Sequence, residues 1–401
     1  MNWFRSTYRV WRREFRLVFS DVGVLIFFFA LPTLYPIAYT LIYNPEVARE
    51  IPIVVVDHDA SAQSRDFVRA VNRTETINVI GYATDLEDAR EAMNEHQCYG
   101  ILEIPSDYAE CLGRGEQATV PFYTEMSLLI RYRQFMFALT DVQLYESTAI
   151  SARKIAEMGA EGATLASTMM PTASVESYLL GDTTQGFASF VMPGVLVLII
   201  QQSIIIGIAM LAGGAAERRR RNNGYDPMFP DESPSAMLFG KLMCYMTFYI
   251  PMLYFTLHIV PYIFSLPSLG TFTDTLLLMT PMIAASAMLG MCLGVFVTER
   301  ETSFLIVVAS SILVLFLSGL TWPTYAMGPF WGLVSGCIPA SWGVRSFISM
   351  NSLGAPFALQ AHNYIMMWVL TAAYGLVAYI LTAYRRKRNR ALAPKAAEAQ
   401  A

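Results

Sequence analysis

The sequence predicts an α-helical membrane protein with six transmembrane helices and one inserted extracytoplasmic α/β domain. Three observations carry that prediction. Hydrophobic residues make up 54% of the 401 positions and charged residues only 15%, where a soluble domain carries about a quarter charged. Six apolar runs are each long enough to cross a hydrocarbon core of roughly 30 Å at about 1.5 Å per helical residue. Between the first and second runs lies one hydrophilic stretch, 44–186, in which strand and helix patterns alternate.

The first twenty residues place Phe4, Tyr8, Trp11, Phe15 and Val18 three or four apart, with the arginines largely opposite. That spacing reads as an amphipathic helix in the cytoplasmic interface; a solvated basic face is the plainer alternative. The first span, Val22–Tyr43 within the segment 21–43, contains no charge. It is longer than the apolar core of a signal peptide, about 7 to 15 residues, and no small-x-small site closes it, so an uncleaved span is expected. Pro32 and Pro36 are expected to loosen it, which membrane helices tolerate when neighbours satisfy the freed carbonyls.

Within 44–186 the expected strands are 51–56, 76–82, 99–104 and 119–123, and the expected helices 61–71 and 84–94. The second helix opens with a capping box, Thr84 to Glu87. A short helix begins at Pro105, and a longer one runs from Ser127 to about Gly159 before the loop 171–186 re-enters the bilayer. Strands alternating with helices imply a small, mostly parallel sheet. The remaining spans are expected at 187–211, 236–264, 275–297, 304–322 and 364–384, inside one bundle of 187–384. The link 213–235 reads as a short charged connector. The segment 323–363, broken by several prolines and glycines, reads as short outer-leaflet or re-entrant helices.

Orientation follows from the basic residues. Arginines crowd the segment before the first span, Arg218 to Arg221 follow the second, Arg300 follows the fourth, and the basic tail 385–401 follows the sixth, whereas the opposite short segments hold Arg345 alone. The positive-inside rule puts the dense clusters, and hence both termini, in the cytoplasm. The formal charge of −4 averages an acidic outer segment with basic inner loops and gives no sign of nucleic-acid binding.

The stretch Ile51 to Phe67, IPIVVVDHDASAQSRDF, offers Asp57 and Asp59 as nucleophile and acid of an aspartate-dependent hydrolase. Three features oppose that reading. The usual pattern continues with Thr or Val where Ser61 stands, the domain has one lysine, Lys154, to hold a phosphate, and an extracytoplasmic site lacks the usual phosphorylated substrates. The simpler reading is a strand end and a helix cap built from short oxygen-bearing side chains. No P-loop pattern of Gly-x4-Gly-Lys-Ser/Thr occurs. Lys241, after Gly240, is expected to snorkel. No catalytic, cofactor-binding or metal-binding residue is assigned.

Polar residues inside the spans are candidates for a translocation path: Gln201 and Gln202 in the second and His258 in the third. Interhelical hydrogen bonding is the plainer alternative. Ser286, Gly290 and Gly294 form a small-xxx-small stripe suited to close packing. The turn 298–303 (TERETS) either solubilises a hairpin or meets a cytoplasmic partner. Cys98 and Cys111 share the outer domain, where a disulfide is permitted but not required; Cys244, Cys292 and Cys337 are expected in apolar surroundings.

Several segments together resemble a known family. The basic N-terminal helix, Leu31-Pro32 in the first span, the strand and cap Val55 to Asp59, Ser61 to Arg65, Gly100 to Tyr108 (GILEIPSDY), and five clustered spans ending in a basic tail look like a type-2 ABC exporter permease. The closest subgroup is bacterial and drug-efflux-like, with a large domain between the first two spans. The resemblance implies a multi-pass subunit of the bacterial inner membrane, paired with an identical or similar protomer and driven by cytoplasmic ATP-binding subunits that hold the ATP and Mg. It implies contact with those subunits through 1–20 and 213–235; here the coupling candidates are Arg12, Arg13, Arg219 and Arg220, with Glu299 and Glu301 from the TERETS turn. A periplasmic adaptor and membrane lipid are further expected partners. The rival readings are a non-transporting scaffold or sensor with an outer ligand-binding domain, and the membrane-anchored hydrolase.

Overall fold

The computed structural model of the chain describes residues 2–43, 48–114, 116–157, 181, 186–228 and 232–398. The chain divides into two units, Met1–Glu46 with Leu179–Ala401, and Val47–Tyr178.

In the inserted unit, β1 (Ile51–Asp57), β2 (Ile77–Ala83), β3 (Gly100–Ile104) and β4 (Phe122–Thr124) form one sheet in the order β2-β1-β3-β4. β1 pairs parallel with β2 and β3, and β4 is antiparallel to β3. Central β1 is apolar on both faces, as a strand covered twice must be. Ile51, Ile53 and Val55 pack with Val68, Val71 and Phe135, while Val54 and Val56 face Ala89, Cys98 and Ile101 on the other side. The period of two in the strand thus meets one apolar helix stripe on each face.

Local details differ from the sequence expectations. The fourth strand starts at Phe122 rather than Thr119, because Pro121 has no N–H to give a ladder. The helix Leu86–Asn94 is capped by Asp85, whose Oδ1 accepts from Asp88 N at 2.9 Å, and the hydroxyl of Thr84 bonds the Asp88 carboxylate instead of forming the box. Adjacent residues both suited to capping made that choice ambiguous. The long helix is Leu129–Glu157; the loop expected at 171–186 falls outside the described residues except for Gly181 and Gly186. Cys98 is buried, Cys111 partly exposed, and both are free thiols, while Cys337 is exposed.

Among its described residues the other unit contains six helices long and apolar enough to cross a membrane: Val22–Tyr43, Phe187–Arg221, Pro234–Ile263, Phe272–Leu293, Arg300–Leu317 and a last one within Ala361–Glu398. The N-terminal helix is Asn2–Ser20. The second span runs ten residues past its expected end, so that Arg218 to Arg221 form its last turn. Cations are favoured there by the helix dipole. The fifth span starts at Arg300, with Glu299 at its cap position, so the TERETS segment is mostly helix rather than turn. Two short helices, Pro329–Gly336 and Pro339–Leu353, occupy the broken segment before the sixth span.

Proline effects are local and compensated. The first span widens to a π turn at Ile26–Ala30, just before Pro32. Pro36 lacks the N–H that would bond the Pro32 carbonyl four residues back. Thr256 Oγ1, fully buried in the π turn Phe255–Ile259 of the third span, donates to that carbonyl at 3.1 Å. One proline therefore creates the acceptor that ties the first span to the third. The Ser286–Gly290–Gly294 stripe serves close packing as well: a Cβ on Gly294 would lie 2.8 Å from Ala212 Cβ in the second span.

Candidate functional site

The arginine-bearing segments converge at one end of the bundle, where long-range pairs join elements far apart in sequence. The N-terminal helix lies along the third span. Trp3 Nε1 donates to Ser235 Oγ (3.1 Å), Trp11 Nε1 to Thr247 Oγ1 (3.2 Å), and Arg9 pairs with Glu232 at 3.2 Å. The approach is close because Gly240 has no side chain: a Cβ there would sit 2.7 Å from Val10 Cβ and 2.8 Å from the Thr7 carbonyl.

At the centre of this contact Glu14 is 3% exposed. Its Oε1 accepts from Lys241 Nζ at 2.8 Å and from Tyr245 OH at 2.5 Å. Lys241, expected to snorkel and partly exposed, also meets a buried carboxylate whose desolvation it offsets. Sequence reasoning missed Glu14. The signal was present, for Val10, Glu14 and Val18 share one helical face and Lys241 is a lone cation opposite. Beside them Arg13 is half-buried, and burial pushes its guanidinium below the ordinary arginine range, partly offset by Glu14 and Asp226.

A second group joins the first, second and fifth spans. Asp21 Oδ1 caps the first span through Gly23 N (3.1 Å), and its Oδ2 meets Arg300 Nη1 at 2.9 Å. Arg300 also faces Glu217 at 3.5 Å, and its backbone N–H donates to Glu217 Oε1 at 3.0 Å. Gly213 makes this possible, since a Cβ there would stand 3.0 Å from the Arg300 backbone. Arg220 and Glu299 pair at 2.6 Å.

A third group fastens the link after the second span to the end of the sixth. Asp226, 1% exposed, pairs with Arg218 at 3.1 Å, and its backbone N–H donates to Asn389 Oδ1 at 2.8 Å. Asp226 and Asn389 were not singled out from sequence either.

Of the expected coupling residues, Arg220 and Glu299 are paired to each other, Arg13 and Arg219 are half-buried, and Arg12 and Glu301 are exposed. The three path candidates are not brought together. Gln201 is 1% exposed, and its Oε1 accepts from Ala340 N at 2.6 Å and from Ser286 Oγ at 3.4 Å. It thus satisfies an otherwise orphaned N–H in the first turn of the helix Pro339–Leu353. Gln202 is half-buried. His258 packs against the Tyr254 and Phe272 rings, and its Nε2 is buried with no partner among the described residues.

The Asp57–Asp59 pair builds a turn. Asp57 Oδ1 accepts from the N–H groups of Asp59 (3.1 Å) and Ala60 (3.0 Å), Oδ2 accepts from Ser64 Oγ (2.7 Å), and Ser61 caps the following helix through Ser64 N (3.0 Å). Both oxygens of the would-be nucleophile are occupied, by its own loop and by the first turn of the following helix.

No curated protein matches the chain. A family model described as ABC-2 family transporter protein matches residues 22–380. The chain belongs to that family.

Proposed function

We propose that this ABC-2 permease is the membrane subunit of an ATP-driven exporter in a bacterial inner membrane, with both termini in the cytoplasm. Its cargo is a drug-like compound, a lipid or another envelope component taken from the cytoplasm or inner leaflet. The supporting observation is the polar assembly at the basic end. It links the N-terminal helix to the third span, the end of the second span to the fifth and the segment after it to the sixth, so a push on any one element is carried to several. The rule that basic clusters face the cytoplasm puts this assembly where ATP-binding subunits, holding ATP and Mg, would dock.

Closure of two such subunits would rock two permease protomers, identical or similar, between inward- and outward-facing arrangements. Exposed Arg12 and Glu301, with Arg13, Arg219, Arg220 and Glu299 behind them, are the contact candidates. Half-buried Gln202 and the Nε2 of His258, unpartnered among the described residues, have a stronger claim to the translocation path than Gln201, whose oxygen is committed to a helix cap. The inserted domain lies outside, gating exit or meeting a periplasmic adaptor.

The deciding experiment is purification of the intact complex from membranes. An ATP-binding subunit should co-purify and hydrolyse ATP faster with the permease than alone; absence of any such subunit would favour the scaffold or sensor reading. Orientation has its own test in spheroplasts of a Cys337→Ser variant. A membrane-impermeant maleimide should label Cys111 slowly and increasingly as pH rises, since burial and Asp107 push that thiol above its ordinary range. Cys98, fully buried, should react only after unfolding. Protection of Cys111 until lysis would place the inserted domain inside.

A further inference from the structure

A cavity of about 660 Å³ opens at the basic end between the last turn of the second span, the end of the fourth and the sixth. Its polar wall carries Arg219, Arg220, Arg385 and Arg388. The one carboxylate in the lining, Glu299, is already bonded to Arg220 at 2.6 Å. Asp226, whose charge also reaches Arg219, is buried and taken by Arg218. Arg385 donates to the Gly294 carbonyl at 3.3 Å, and neither Arg219 nor Arg388 has an ion-pair partner among the described residues. Three guanidiniums thus border an open recess, and none of them has an ion-pair partner among the described residues.

Beside the polar Thr298 and Asn389, the wall has an apolar part: Val295, Val297, Leu381 and the ring of Tyr384. The sixth span continues this surface with exposed Leu376, Val377 and Ile380. A cationic recess at the end of a helix with an exposed apolar face has the two halves of a phospholipid site. Planar guanidiniums bind phosphate oxygens in pairs, and an acyl chain would follow the apolar helix face. A free anion or an acidic peptide would use the arginines but leave that apolar wall without a purpose.

We infer that this cavity binds the headgroup of an anionic glycerophospholipid, with Arg219, Arg385 and Arg388 on the phosphate and Leu381 and Tyr384 against the proximal chain. The inference rests on the geometry of the cavity and is independent of whether the chain exports anything.

Native mass spectrometry of the full-length chain in detergent tests it, with phosphatidylglycerol as probe, phosphatidylcholine as zwitterionic control and inorganic phosphate as free anion. Phosphatidylglycerol should bind about tenfold more tightly than phosphatidylcholine, as expected for charge-assisted contacts worth roughly 1.4 kcal/mol in sum. Arg219→Gln with Arg388→Gln should abolish the preference, whereas Arg16→Gln, an exposed arginine on the N-terminal helix, should leave it intact. Should the double variant fail to fold, Leu381→Trp fills the apolar wall without touching charge and should weaken phosphatidylglycerol by a similar factor. Equal binding of the two lipids, a preference unchanged in the double arginine variant, or a phosphatidylglycerol affinity unchanged in Leu381→Trp would overturn the inference. So would full displacement by millimolar phosphate, which would identify a free-anion site, or by the ATP-binding subunit alone, which would identify a protein contact.

Discussion

The two ends of the bundle are held by different chemistry. At the basic end, Glu14, Asp21 and Glu217 each meet a Lys or Arg from a distant element, and Asp226 meets Arg218 eight residues back. At the other end neutral groups do the joining: Asn351 Oδ1 accepts from Ser268 Oγ at 2.9 Å, the Asn351 carbonyl accepts from Leu269 N at 3.0 Å, and Gln360 Nε2 donates to Ser349 Oγ at 2.9 Å. Arg345 there stacks over the Trp342 ring at 4.4 Å and bonds the Ser341 carbonyl rather than a carboxylate. Charge pairs act over longer distances than neutral hydrogen bonds and tolerate some change of partner, whereas neutral bonds need short contact and good alignment.

Removal of a buried charge gives the sharpest contrast between the ends. Lys241→Met would leave Glu14, whose side chain is 4% exposed, with Tyr245 alone. Breaking a buried pair costs about 3–5 kcal/mol, and the partial exposure of Lys241 points to the lower bound, about 3 kcal/mol. Thermal unfolding of the purified chain should show that loss, and Glu14→Gln in the Lys241→Met background should recover most of it. A Lys241→Met loss below about 1 kcal/mol would mean the carboxylate finds water, and the N-terminal helix is less firmly docked than its geometry indicates.

Neutral contacts should fail more gently. Gln201→Leu removes the acceptor for Ala340 N and leaves that buried N–H without a partner, a loss of about 1–2 kcal/mol. Asn351→Ala should fall in the same range, since two side-chain bonds go with it. If transport is retained in Gln201→Leu while stability drops, the residue is a helix cap and not a path residue. Lost transport at unchanged stability would reverse that assignment.

What was legible in the sequence follows the range of the interaction involved. The six spans and the strand–helix alternation were readable because hydropathy and periodicity are local properties of the chain. The second span's last turn was not, because hydropathy reports apolar character and Arg218 to Arg221 are helical without being apolar. The choice between Thr84 and Asp85 turned on one residue's dihedral angles, which no pattern encodes. Glu14 with Lys241 lies beyond any window, the two being 227 residues apart; the same holds for Asp226 with Asn389 and for Gln201 with Ala340. The buried carboxylates Glu14 and Asp226 were overlooked, unlike Glu299 and Glu301, because the arginines around them dominated the reading of charge.

The smallest effect is expected where a charge pair sits in water. Arg220 and Glu299 are 78% and 49% exposed. Such pairs contribute about 0–1 kcal/mol and are screened over roughly 8 Å at physiological ionic strength. Glu299→Gln should therefore shift thermal unfolding by less than about 1 kcal/mol, and raising salt should erase even that, whereas the Lys241→Met loss should persist in high salt because Glu14 is out of reach of counterions. Equal losses for the two variants would show that position at the basic end, not burial, sets the strength of these pairs. The difference between the ends would then lie in the number of charges rather than in their desolvation. If Glu299→Gln instead leaves stability unchanged but lowers the ATPase stimulation measured on the intact complex, the pair works by positioning the start of the fifth span for its partner, which a merely structural pair would not do.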